Sequence, residues 1–314
     1  MSRFFKPQTG GLAVLALVLI LLPFFLQNGF HFEIAILIGI NAIVCVGLNL
    51  LIGYTGQISL GHAAFFALGG YFSAILTDRY EWNPPLALIS GAVVIGLLAF
   101  VFARPILRLK GHYLAMATLG MGIIISIVLN QETDLTGGPD GMVVPDFTVF
   151  GWTPSGALTW YILVAALLFL TIWMALNLVT SPAGRALRAI HTSELAASTL
   201  GIDVMRTKVI IFVFSAVTAS VAGSVFAHYS GFLTPAEGEF MHSIELVTMV
   251  VLGGMASVFG SLVGAAILTL LPQLLADFHD YEMIAFGAIM MGVMIFMRRG
   301  LVPTLVHYFE SRRK

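Results

Sequence analysis

Residues 181–208, SPAGRALRAIHTSELAASTLGIDVMRTK, form a polar, positively charged island between two long apolar runs. No Lys or Arg occurs between Lys110 and Arg185, and none between Lys208 and Arg298. Ser181-Pro182 is a helix N-cap followed by proline at the first helical position, where the missing N–H would lack a partner anyway. Ala183, Ala186, Leu187 and Ile190 then recur at helical spacing. Thr192 or Ser193 can cap a second short helix with Glu194 in its first turn. Gly201 stands where a left-handed C-cap would end it, followed by apolar Ile202. The spacing predicts two short amphipathic helices between two long apolar ones. A plain connector needs only a few residues, so the segment reads as a docking element for another protein.

Outward from this island the chain is oily. It has 314 residues, 59% hydrophobic and 10% charged. Soluble domains carry about 25% charge, and no soluble core absorbs this much apolar sequence. The expected class is therefore an all-α polytopic membrane protein, one membrane domain over residues 1–314. A spanning helix needs roughly 20 apolar residues. Candidate spans are 11–27, 33–52, 58–77, 85–103, 112–130, 159–180, 209–229 and 282–297, with a longer run at 244–275. The start, Arg3 and Lys6 followed by an apolar run, resembles a signal peptide, but LLPFFLQNGF offers no small-residue cleavage site. It is expected to be a retained first span. The lone cysteine, Cys45, rules out an internal disulfide and reads as a small core hydrophobe.

Charge decides how often 244–275 crosses. Cations group as Arg3 and Lys6; Arg104, Arg108 and Lys110; Arg185, Arg188, Arg206 and Lys208; and Arg298, Arg299, Arg312, Arg313 and Lys314. With the N-terminus cytoplasmic, alternation puts 104–110 and 181–208 inside. The loops 131–158 and 230–243, which hold acids but no Lys or Arg, then fall outside. Two crossings of 244–275, turning in GGMASVFG at 253–260, bring the basic C-terminus inside as well. This predicts about ten spans with both termini cytoplasmic; Arg79 alone falls on the wrong side.

Polar residues within apolar runs are candidates for a pathway. GYTGQISLGH at 53–62 is interrupted by glycines and carries Thr55, Gln57, Ser59 and His62. Irregular backbone at membrane depth is tolerated where it is buried in protein or lines a wet cavity, and Gly-broken segments point to transporter sites. The alternative is a buried turn satisfied by its own side chains. Gly253, Gly254 and Ser257 form the second break. Asn41 and Asn49 lie about 80° apart at ~100° per residue; each serves either the pathway or an interhelical hydrogen bond. Small-residue stripes (Ser59, Ala63, Ala67; Ser215, Ala219, Gly223, Ala227; Gly260, Gly264) suit close helix packing. No metal-ligand spacing, nucleophile motif or Walker A sequence occurs.

Four stretches together resemble the LivM-type permease subunits of ATP-binding-cassette importers for branched-chain amino acids: 49–71, 108–120 with 134–142, 184–203 and 250–265. The resemblance implies a bacterial inner-membrane transporter subunit that is not itself an enzyme and has no cofactor of its own, ATP being bound by partners. Those partners are a second, LivH-like permease subunit, two cytoplasmic ATPase subunits and a periplasmic binding protein that meets the outer loops. No nucleic acid is implied. It also implies that Gly184, Arg185, Ala186, Leu187, Arg188, Ala189 and Ile190, then Glu194, Ala196, Ala197, Leu200, Gly201 and Ile202, couple to the ATPase. Related permeases for urea or short amides share such motifs. An ion-driven carrier would need buried acids, of which only Glu245 is available.

Overall fold

The apolar runs become helices because a backbone in lipid must satisfy its own polar groups. A computed structural model describes residues 7–26, 28–149, 152–154, 156–275, 287–288, 291–292 and 300–304. In chain order, α1 spans Pro7–Phe25, α2 Gly29–Thr55, α3 His62–Arg79, α4 Pro84–Ile106 and α5 His112–Gln131. A one-turn α6 (Thr133–Thr136) leads through a 3₁₀ turn at Gly138–Asp140 to β1 (Met142–Val143). Then come α7 (Ala157–Thr180), α8 (Pro182–Thr192), α9 (Glu194–Thr199) and α10 (Val204–Ser230). After β2 (Phe232–Leu233) and a 3₁₀ turn at Pro235–Gly238, α11 (Phe240–Gly253) and α12 (Val258–Leu275) form a hairpin. Arg3, Lys6, the cations from Arg298 onward and most of the expected span 282–297 lie outside the described residues.

By length and composition, α2, α4, α5, α7 and α10 can each cross a bilayer. The helices α11 and α12 have 14 and 18 residues. At 1.5 Å per residue they rise only about 21 and 27 Å, against a hydrocarbon core of about 30 Å. The break between them falls at 254–257, inside the glycine-rich stretch where the turn was expected. Asn41 meets Thr269 and Asn49 meets Ser261, so α2 and α12 run antiparallel.

The core is built around α2, whose Ile36, Ile40, Leu48, Leu50 and Leu51 are fully buried among α7, α10 and α12. The helix α3 is less apolar than its neighbours, yet it is enclosed by α4 and α10 and needs no greasy exterior. It runs parallel to α10: His62 meets Ser215 and Ser73 meets His228. The stripe Ser215, Ala219, Gly223 and Ala227 is buried along this contact, so it packs within the chain. A methyl added at Gly223 would overlap the Phe66 carbonyl, and one at Gly69 the Ser220 carbonyl. The GxxxG of α12 packs likewise, with Gly264 against the Met249 carbonyl and Gly260 against Gly253 of α11. The rims of α4 and α5 expose Val93, Leu97, Val101, Met116 and Ile124, as lipid-facing helices do.

The two ends differ in charge. At one end, Lys110 after α4 and Lys208 at the start of α10 both pair with Glu194, so the cation groups 104–110 and 181–208 meet. At the other, β1 pairs with β2, the Val144 N–H donates to the Gly231 carbonyl (2.9 Å), and the His228 ring contacts the Pro145 carbonyl (3.0 Å). The two loops without Lys or Arg thus close over the opposite end.

Candidate functional site

Capping shapes the island at the basic end. The Ser181 hydroxyl accepts from the Gly184 N–H (3.4 Å) and Pro182 opens α8. The Ser193 hydroxyl accepts from the Ala196 N–H (3.2 Å) and starts α9. Gly201, at φ +80°, ends it, with the Ile202 N–H donating back to the Ala197 carbonyl (3.1 Å). The Asp203 carboxylate then caps α10 through the Arg206 N–H (3.0 Å). Local caps thus satisfy several of the groups that helix ends leave without intrahelical partners, so the chain makes two short helices in close succession.

Periodicity divides the residues of this segment. Gly184, Leu187 and Ile190 are buried at three-residue steps and seat α8 against α7, α2 and α10. A side chain at Gly184 would strike the Val179 carbonyl. Ala197 is the buried position of α9. Ala186 and Ala189 are half-buried, while Arg185, Arg188 and Gly201 face outward. Glu194 is held between Lys110 and Lys208, tying α9 to the start of α10 and to the α4–α5 connection. Beside them stand Leu195 and Leu200, 78% and 77% exposed at a polar end of the molecule. The sequence marked Leu200 only as a motif match and passed over Leu195. The signal was the burial of Ala197, which turns the opposite face of α9 outward.

The first helix break, 56–61, lies directly beneath α8. Gly56 at φ +70° caps α2, its N–H donating to the Ile52 carbonyl (3.0 Å) and that of Gln57 to the Leu51 carbonyl (3.2 Å). A Cβ at Gly56 would stand 3.2 Å from Nδ1 of His191. The Leu60 N–H donates to the Thr118 hydroxyl of α5 (3.0 Å). Most of the polar groups here are engaged. The Thr55 hydroxyl donates to the Leu51 carbonyl. His62 lies between the hydroxyls of Ser59 (2.9 Å) and Ser215 (2.7 Å). Gln57 differs: it is buried, and neither its amide oxygen nor its nitrogen has a partner among the described residues.

The second break is clamped to α2 by Asn49. Its Nδ2 donates toward the carbonyls of Ser257 (2.8 Å) and Gly254 (3.2 Å) and the Ser261 hydroxyl (2.7 Å). Its Oδ1 accepts from the Ala256 N–H (2.9 Å). Ala256 sits at φ +59°, and Gly53 leaves room for its backbone. The Ser257 hydroxyl caps α12 through the Gly260 N–H (3.1 Å). Gly253 and Gly254 are buried, and Gly300 packs against Gly254. Asn41 donates to the Thr269 hydroxyl (3.1 Å), so it too bridges α2 and α12. A continuous line of contact thus runs from α8 through Gly56 and the end of α2 to the α11–α12 turn. No group of three or more His, Cys, Asp or Glu able to hold a metal occurs among the described residues.

Residues 30–297 match the family model for branched-chain amino acid transport system permease components. The chain is 34% identical to the high-affinity branched-chain amino acid transport permease LivM of Salmonella typhimurium, over 93% of this chain and 74% of that protein. The LivM of Escherichia coli is similar to the same extent. The LivH permease of Escherichia coli is 27% identical over 83% of this chain and 90% of its own length. No solved structure matches.

Proposed function

The chain belongs to the permease-component family of branched-chain amino acid transport systems, and from that membership we propose a transmembrane subunit of an ATP-binding-cassette importer. It moves leucine-, isoleucine- and valine-type amino acids across the bacterial plasma membrane. Energy comes from separate ATPase subunits at the basic, cytoplasmic end. A LivH-like second permease completes the pathway, and a periplasmic binding protein delivers substrate to the loops at the other end. Ten spans with both termini cytoplasmic fit the shared basic end and the return of Gly300 to the α11–α12 turn.

The observation that carries this reading is the coupling segment. Two short capped helices are anchored by buried Leu187, Ile190 and Ala197, and they present Arg185, Arg188, Leu195 and Leu200 outward. A push on α8 reaches α2 through the packing of α8 against that helix, with His191 standing beside Gly56, and from there the α11–α12 turn through Asn49. Both helix breaks then shift together in an alternating-access cycle. Reversing the charge of Arg185 and Arg188 together is the test, read by ATPase co-purification and by ATP-driven leucine uptake in proteoliposomes. Lost charge complementarity should reduce both about tenfold or more. Survival of both at wild-type levels would sink the docking assignment.

Within the pathway, Gln57 is the side chain whose hydrogen-bonding capacity is unused. A primary amide offers two donors and an acceptor oxygen, which suits the carboxylate and ammonium groups of an amino acid. In Gln57→Leu, leucine uptake should fall about tenfold, the loss of roughly one buried hydrogen bond. The melting temperature should hold or rise, because an unpaired buried amide is removed. Unchanged uptake would take Gln57 off the pathway.

A further inference from the structure

Where α4 meets α10, the basic end carries charge beyond that of α8 and α9. Arg104, Arg108 and Arg206 stand around a groove of about 590 Å³. All three are exposed, and none forms an ion pair among the described residues. Their neighbours Lys110 and Lys208 share one carboxylate, that of Glu194. One acid lines the groove, Asp203, whose carboxylate caps α10. Three guanidinium groups therefore face one carboxylate.

Below the charges the wall is apolar. The Arg104 guanidinium lies over the Phe100 ring, 5.1 Å from its centroid, and Val209 and Ile210 line the facing side. Ile210 is itself 53% exposed. Val93, Leu97, Val101 and Arg104 recur at four-, four- and three-residue steps, hence on one face of α4, and the three apolar ones are exposed. A cationic rim above an exposed apolar stripe matches a headgroup above acyl chains. Basic clefts between helix ends on the cytoplasmic side have this character.

We propose that this groove is a binding site for an anionic phospholipid, its phosphate on Arg104, Arg108 and Arg206 and an acyl chain along the Val93–Val101 face of α4. That this lipid belongs to the cytoplasmic leaflet rests on the reading of this end as cytoplasmic; the binding itself does not. An acidic protein surface would answer the charges but leave the apolar stripe bare, and a free phosphate ion would do the same.

The test uses the assembled transporter in detergent, with retained lipid measured by native mass spectrometry after addition of cardiolipin, phosphatidylglycerol or phosphatidylcholine. The anionic lipids should be retained in preference to phosphatidylcholine. Each of R108Q and R206Q should lower that retention about fivefold, and R104Q/R108Q/R206Q about a hundredfold, since each arginine contributes about that factor at an anionic surface. The single variants serve if the triple variant does not assemble. Wild-type lipid preference in the variants would overturn the proposal. Displacement of the lipid by millimolar inorganic phosphate would make this an ion site instead. Loss of ATPase subunits from the variants with lipid unchanged would make it a protein-docking surface. Leucine uptake, measured separately, tells failure of the lipid site from failure of the transport reading.

Discussion

Replacing Leu195 and Leu200 together with serine is expected to strip the ATPase subunits from the transporter while leaving the permease folded. Both side chains are more than three-quarters exposed, so truncating them removes little from the core. They project from α9 and its C-cap, and α9 contacts the helix that carries exposed Arg185 and Arg188. Burying one leucine against a partner contributes about 1.5–3 kcal/mol, so losing two weakens docking by about a hundredfold or more. A few apolar anchors ordinarily dominate such interfaces. Subunit stoichiometry after affinity purification and substrate-stimulated ATP hydrolysis give the readout. Full stoichiometry in the double variant would remove these leucines from the interface and leave the arginines to carry it.

Asn49→Ala should be the most damaging single change inside the bundle. Not all of its four contacts count equally. The Ser257 carbonyl also accepts from the Ser261 N–H, and the Gly254 carbonyl from the Ser257 N–H. The Ala256 N–H has Asn49 as its partner, and without it becomes an unpaired donor in a part-buried turn. That alone costs about 1 kcal/mol, the low end for an unsatisfied group, and the lost side-chain contacts in a membrane bundle add about 0.6 kcal/mol each. A total of about 3 kcal/mol is expected, with uptake lost because the α11–α12 turn is no longer fixed to α2. Asn49→Asp should be worse despite keeping the acceptor for Ala256, because it sets a carboxylate against two carbonyl oxygens. Thermal stability in detergent and uptake check the order; a wild-type melting temperature for Asn49→Ala would show that water or another group replaces the clamp.

Much of the architecture was readable from the chain itself. Caps at Ser181, Ser193 and Gly201 act locally, within four residues, so their chemistry is written in sequence. Hydropathy placed α2, α4, α5, α7 and α10 because lipid demands long apolar runs, and the glycine-rich turn at 254–257 lies where charge alternation required one. The split within residues 181–208 between buried and outward-facing positions was less legible. Glu194 reads as a surface charge until Lys110 and Lys208 are brought to it from 84 residues before and 14 after.

The polar residues of the two breaks show where sequence stops. Asn49 and Gln57 are both amides in one glycine-rich stretch, eight positions apart. Asn41, Asn49, Thr55, Ser59 and His62 all have hydrogen-bond partners in the fold, and Gln57 has none among the described residues. Sequence determined that the chain is a bundle of apolar helices with a capped, cationic segment at one end, because those features depend on composition and on contacts between near neighbours. Only the tertiary structure decided which amide is a clamp and which is left open. Asn49 is satisfied by a turn more than 200 residues away, at an Ala256 whose positive φ no local signal announces.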